Sequence, residues 1–215
     1  MSVFDKITFS YLEYKINALY SKRFLKYGTT PKGIFWKNSF TQLHRFELIF
    51  SLICQHHDFN NSIICDVGCG YGKLIEFLET KLNKSNFYYQ GCDLNPIFVD
   101  YCKKHYSNKK YQFYNRAKPH GQVDFSIMSG TFNLCVTDNI ITWEKYLLKN
   151  LSDTWRHSSK VMAFNLLHSN ERKIVNGLYY TNKDWIKKVC ERNFNKTETF
   201  YSPLLGNDIL IIVKR

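Results

Sequence analysis

Ser62-Ile63-Ile64-Cys65-Asp66-Val67-Gly68-Cys69-Gly70-Tyr71-Gly72-Lys73 passes from a β-branched apolar run into a cluster of glycines. The run carries no polar–apolar alternation and stops at glycine, which is how a strand covered on both faces of a parallel sheet reads. Beyond the glycines, Leu74, Ile75, Phe77 and Leu78 switch to helical spacing. The turn between them therefore lies at the carboxyl end of a strand, where open α/β sheets bind ligands. Glycines at such a turn let a ligand approach the backbone without meeting a Cβ.

The same alternation extends in both directions. Upstream, Ser39-Phe40-Thr41-Gln42 matches a capping box, and Phe46, Ile49, Phe50 and Ile53 follow at helical spacing, so a helix is expected over 40–55. Downstream, strands are expected over 87–93, 111–114, 123–129, 160–166, 196–200 and 208–213. Helices are expected over 96–105 and 140–156, with another starting between Thr181 and Asp184. Pro96 falls where a first helical turn tolerates it. The expected fold is α/β: a Rossmann-like, doubly wound, mostly parallel seven-stranded sheet with helices on both faces. Residues 1–58 form an N-terminal helical extension packed on a core at 59–215, one structural domain overall.

Composition bounds the function. A chain of 215 residues, 44% hydrophobic, supports one buried core and no second enzyme domain. Asp5, Lys6, Glu13 and Lys15 interrupt the first twenty residues, so no signal peptide is read, and no apolar run approaches the ~18 residues of a membrane span. Seven cysteines, an odd number with no C-x-x-C pair, read as reduced thiols, and the protein is expected in the cytoplasm. A zinc site at Cys65 and Cys69 would bracket the glycine turn, which ligand binding explains better, so no metal is expected. The net charge of +12 keeps RNA open as a partner. The basic residues form no arm, however, and solvated faces account for them.

The glycine spacing is G-x-G-x-G, whereas a dinucleotide fingerprint reads G-x-G-x-x-G, which disfavours a nicotinamide dehydrogenase. With Asp66 two residues ahead of the first glycine, the stretch resembles the S-adenosylmethionine-binding loop of class I methyltransferases. Asp93, which ends the 87–93 strand, takes the second matching place; a carboxylate there can accept both ribose hydroxyls, or else cap the helix at Pro96. The third match is Val123 to Asn133, a strand opening into Ser129-Gly130-Thr131-Phe132-Asn133. It departs from the Asp/Asn-Pro-Pro-aromatic signature, and this points away from amide and nucleobase-amine acceptors.

A wider resemblance, to bacterial methyltransferase-domain proteins, includes Tyr27 to Gly33 with Trp36, Gln42 to Phe46, Ala163 to Leu167 and Leu178 to Tyr180. The resemblance implies S-adenosylmethionine as cofactor, held by Asp66, Gly68, Cys69, Gly70, Gly72, Asp93, Leu94, Ser129 and Gly130. Thr131 and Asn133 are the candidates to orient the acceptor, with Asn165 next. Arg45 is either a charge-assisted partner of the cofactor carboxylate or a solvated helix-face residue. His120, His168 and Asp124 are candidate bases, and Tyr27, Trp36, Tyr179 and Tyr180 a candidate aromatic wall. The expected activity is methyl transfer to a small molecule. RNA methylation and non-catalytic cofactor binding are the alternatives, and the oligomeric state is not legible.

Overall fold

The computed structural model describes residues 2–83 and 85–215. The apolar run forms β1 (Ile63–Val67), and the glycines lead into α3 (Lys73–Lys81). Ahead of them lie α1 (Val3–Tyr27), a 3-10 turn at Pro31–Ile34 and α2 (Ser39–Cys54). After them come β2 (Tyr88–Asp93), α4 (Pro96–His105), β3 (Tyr111–Asn115), β4 (Val123–Met128), α5 (Ile140–His157) and β5 (Ser158–His168). The chain closes with β6 (Lys173–Val175), β7 (Leu178–Thr181), α6 (Lys183–Asn193), β8 (Thr197–Tyr201) and β9 (Asp208–Lys214).

Strands β3, β2, β1, β4 and β5 pair in that order, all parallel. β9 runs antiparallel beside β5, and β8 antiparallel outside β9. These are the seven expected strands. Two more form a hairpin, β6 with β7, that pairs with the end of β5. Side chains of β1 alternate between two cores. Ile64 joins Phe46, Ile49, Leu74 and Leu78 from α2 and α3, whereas Cys65 and Val67 join Phe9 and Leu12 of α1 and Trp143 and Leu147 of α5.

Two helix starts differ from expectation by one residue, each because an asparagine competes for the cap. Asn38, not Ser39, caps α2 by accepting from the Thr41 N–H, and Asn182, not Thr181, caps α6 through the Trp185 N–H. Gln42 consequently does not reach back to close a capping box. It is buried instead, at 3% exposure. No helix among the described residues is long and apolar enough to cross a membrane.

Candidate functional site

The turn after β1 is held from both sides. At Gly68, with φ +81°, a Cβ would come within 2.8 Å of the Thr131 side chain. Thr131 Oγ1 donates to the Val67 carbonyl at 2.9 Å, joining the turn to the loop after β4. Asp93 ends β2: its Oδ2 accepts the Gly70 N–H at 2.9 Å and its Oδ1 the Asn95 N–H at 2.8 Å. Asn95, not Asp93, caps α4 through the Ile97 N–H. Burial pushes the Asp93 carboxyl up to about 6, against the two N–H donors that favour its charge. Asp66 is pushed up to about 7 by burial, opposed by the Tyr89 hydroxyl donating at 2.9 Å.

The loop after β4 is fixed by groups far away in sequence. The Gly130 N–H donates to Asn165 Oδ1 at 2.7 Å, and Asn165 Nδ2 donates to Asp208 Oδ1 at 2.7 Å. Asp208 pairs with Arg45, whose guanidinium lies 4.2 Å from the centroid of the Trp36 ring. Both charges are buried, at 9% exposure for Arg45 and 3% for Asp208. Burial lowers the Arg45 pKa and raises that of Asp208, and each charge opposes the shift of the other.

A cavity enclosing about 940 Å³ including its mouth opens over the carboxyl ends of β1, β2 and β4. Asp66, Gly68, Cys69, Gly70, Asp93, Leu94, Ser129, Gly130 and Thr131 all line it. Three of the residues singled out in the sequence do not. A Cβ on Gly72, at φ +84°, would come within 2.5 Å of the Tyr106 ring, so this glycine serves helix packing. Asn133 Oδ1 is occupied by the Leu167 N–H at 3.1 Å, tying the loop to β5. Arg45 is neither solvated nor turned to the cavity, because Asp208 and Trp36 engage it.

None of the three candidate bases lines the cavity. Asp124 accepts from Ile63 at the opposite end of the sheet, His120 stacks on Tyr114, and His168 meets Tyr201 edge-on. Of the proposed aromatic wall only Trp36 lines the space; Tyr179 is buried with its hydroxyl on Glu144.

Sequence reasoning missed the roof. α1 contributes Ile16, Asn17 and Tyr20, and is fastened by Asn95 Nδ2 donating to Ser21 Oγ at 2.9 Å. Gln42, Phe46, Arg116 and Phe132 complete the walls. Ile34 lies against Gly70, and Trp36 against Gly130. Among the described residues, Asn17 Oδ1, Gln42 Oε1, Arg116 Nε and Ser129 Oγ are buried lining atoms without a protein hydrogen-bond partner. Such atoms are costly unless a ligand or water meets them.

The architecture has solved counterparts. A methyltransferase of Leishmania major dependent on S-adenosylmethionine superposes with a TM-score of 0.66 at 13% identity, covering 91% of this chain and 82% of its own. Magnesium protoporphyrin IX methyltransferase from Synechocystis, with S-adenosylhomocysteine bound, gives 0.60 at 13% identity over 81% and 84%. Human N-acetylserotonin methyltransferase gives 0.56 at 11% identity over 96% and 67%.

This is the S-adenosylmethionine-dependent methyltransferase fold.

The methyltransferase fold accounts for the order β3-β2-β1-β4-β5 and for the antiparallel β9 that closes it. No family model matches the chain. A curated relative in Mycobacterium tuberculosis, named "Putative methyltransferase Rv1506c", is 27% identical over 137 residues, which is 62% of this chain and 81% of that protein.

Proposed function

We propose that the protein transfers a methyl group from S-adenosylmethionine to a small-molecule acceptor, both held in the cavity beneath α1 and the 31–46 segment. The observation that carries this reading is the convergence on one cavity of the glycine turn, two buried carboxylates and several unpartnered polar atoms. Asp93 would accept the ribose hydroxyls, Gly68 and Gly70 would lie along the cofactor, and Asp66 and Ser129 would face its amino-acid end. Arg45, Gly72 and Asn133 act by holding the loops instead, and Thr131 by joining them. When bound, S-adenosylmethionine supplies an electrophilic methyl group.

What remains for the chain is to align the acceptor and exclude water. The roof of Ile16, Tyr20 and Trp36 serves the second need. No candidate base lines the cavity, so the reading assigns positioning, not proton abstraction, to these side chains. Residues 1–58 act as a cap continuous with the core, since Phe9 and Leu12 are buried in it. The seven cysteines are free, six of them buried, which supports a cytoplasmic setting. The small-molecule preference draws on the relatives named for a porphyrin and for N-acetylserotonin.

The test is incubation with S-adenosylmethionine and either a small-metabolite extract or total RNA. Release of S-adenosylhomocysteine with a methylated small product is expected. Methyl label in RNA alone would make RNA the acceptor, and cofactor binding without turnover in either arm would favour the non-catalytic alternative.

A further inference from the structure

Gln42 is 3% exposed and lines the cavity, yet its Oε1 has no hydrogen-bond partner among the described residues. Its other end is accounted for. Burial pushes the Tyr71 phenol up to about 12 and the Gln42 side chain opposes that shift, which places the amide N–H end toward Tyr71. The free end is an acceptor that cannot become a donor. Around it stand Trp36, Phe46 and Ile34, with Ser129 Oγ a second unpartnered polar atom in the cavity.

Charge is scarce here. The charged residues that line the cavity, Asp66, Lys73, Asp93 and Arg116, belong to the glycine turn and the ends of β1, β2 and β3. Arg45, the nearest cation to Trp36, is neutralised by Asp208.

We infer that Gln42 is a specificity-determining residue for the acceptor, selecting a neutral, flat molecule that presents an O–H or N–H donor between Trp36 and Phe46. The inference rests on the methyltransferase reading of the cavity. An anionic acceptor would place its charge beside an amide oxygen with no cation free to meet it. A donorless ring of the same shape would leave Oε1 buried and unpaired, which is the stronger form of discrimination. The held donor need not be the atom that is methylated; Gln42 orients the ring.

The test is ligand-observed NMR on protein saturated with S-adenosylhomocysteine, with phenol, anisole and benzoate as probes. Phenol is expected to bind about tenfold more tightly than anisole, as for one buried hydrogen bond, and benzoate not to compete. Gln42→Met, similar in length but without the acceptor, should erase the phenol preference while S-adenosylhomocysteine affinity changes less than about twofold. If that variant fails to fold, Ser129→Ala carries the test and should weaken the preference in the same direction. Equal binding of phenol and anisole by the wild type, tighter binding of benzoate, or an unchanged preference in the folded variants would overturn the inference. A wild type that does not bind S-adenosylhomocysteine contradicts the underlying reading, and the inference falls with it.

Discussion

The turn after β1 and the loop after β4 solve one problem by different routes. In each, a glycine N–H at the carboxyl edge of the sheet is held by a side-chain oxygen from a neighbouring strand: Gly70 by Asp93 and Gly130 by Asn165. The first anchor is a carboxylate that also faces the cavity. The second is a neutral amide, backed by a buried ion pair that does not. One anchor combines holding the loop with a surface for ligand; the other separates the two tasks. Substitutions on the two sides should therefore fail differently.

The largest effect is expected on the second side. Asp208→Ala leaves the Arg45 guanidinium buried and uncompensated and should lower stability by about 3–5 kcal/mol, read as a fall in the denaturant midpoint. A loss below about 1 kcal/mol would mean that Arg45 escapes to solvent and that the loop after β4 is not held through it. Asp93→Ala should cost less in stability but reduce S-adenosylhomocysteine affinity on the order of 10- to 100-fold, as for a hydrogen-bonded charge. Equal losses of stability and affinity in both variants would erase the distinction between the anchors.

A pH series sharpens the comparison. Asp66 and Asp93 have folded-state values of about 7 and about 6, above the ordinary 3.8, so the folded protein holds more protons than the unfolded chain between these limits. Their contribution to stability is full below about 4 and is lost as pH rises through 6 and 7. Cofactor-free protein should therefore lose stability over that interval. Asp93→Asn should remove the lower part of the fall; a variant that keeps the whole profile would assign the titration elsewhere.

The smaller effects separate packing from binding within each loop. Gly72→Ala should destabilise by about 1–3 kcal/mol, because its φ is left-handed and Tyr106 blocks the Cβ, and leave S-adenosylhomocysteine affinity nearly unchanged. Asn133→Ala removes one hydrogen bond to β5 and should cost about 1 kcal/mol with no effect on binding. Loss of affinity in either would return that residue to the cofactor site.

This difference also explains what could be read from sequence. The first loop was legible because glycine and aspartate are chemically unusual at a strand end and its spacing is local. The second was not, because Arg45, Asn165 and Asp208 are ordinary residues brought together only by the pairing of β5 with β9 and the packing of α2. The roof was missed for the same reason: Asn17 and Tyr20 belong to a helix whose role depends on where it docks. Two omissions had signals. Asn176-Gly177, both at positive φ, make the two-residue turn between β6 and β7, and an Asn-Gly pair is the strongest short hairpin mark. Ser2 and Asp5 form the capping box that starts α1.

The most direct test of the account is calorimetric titration of S-adenosylhomocysteine into the wild type and Asp93→Ala, with NAD as the control ligand. Binding of S-adenosylhomocysteine at micromolar concentration, its loss in the folded variant and no heat from NAD are the predicted result. A folded wild type that ignores S-adenosylhomocysteine, or that binds NAD instead, would contradict the account and leave the fold without its proposed chemistry.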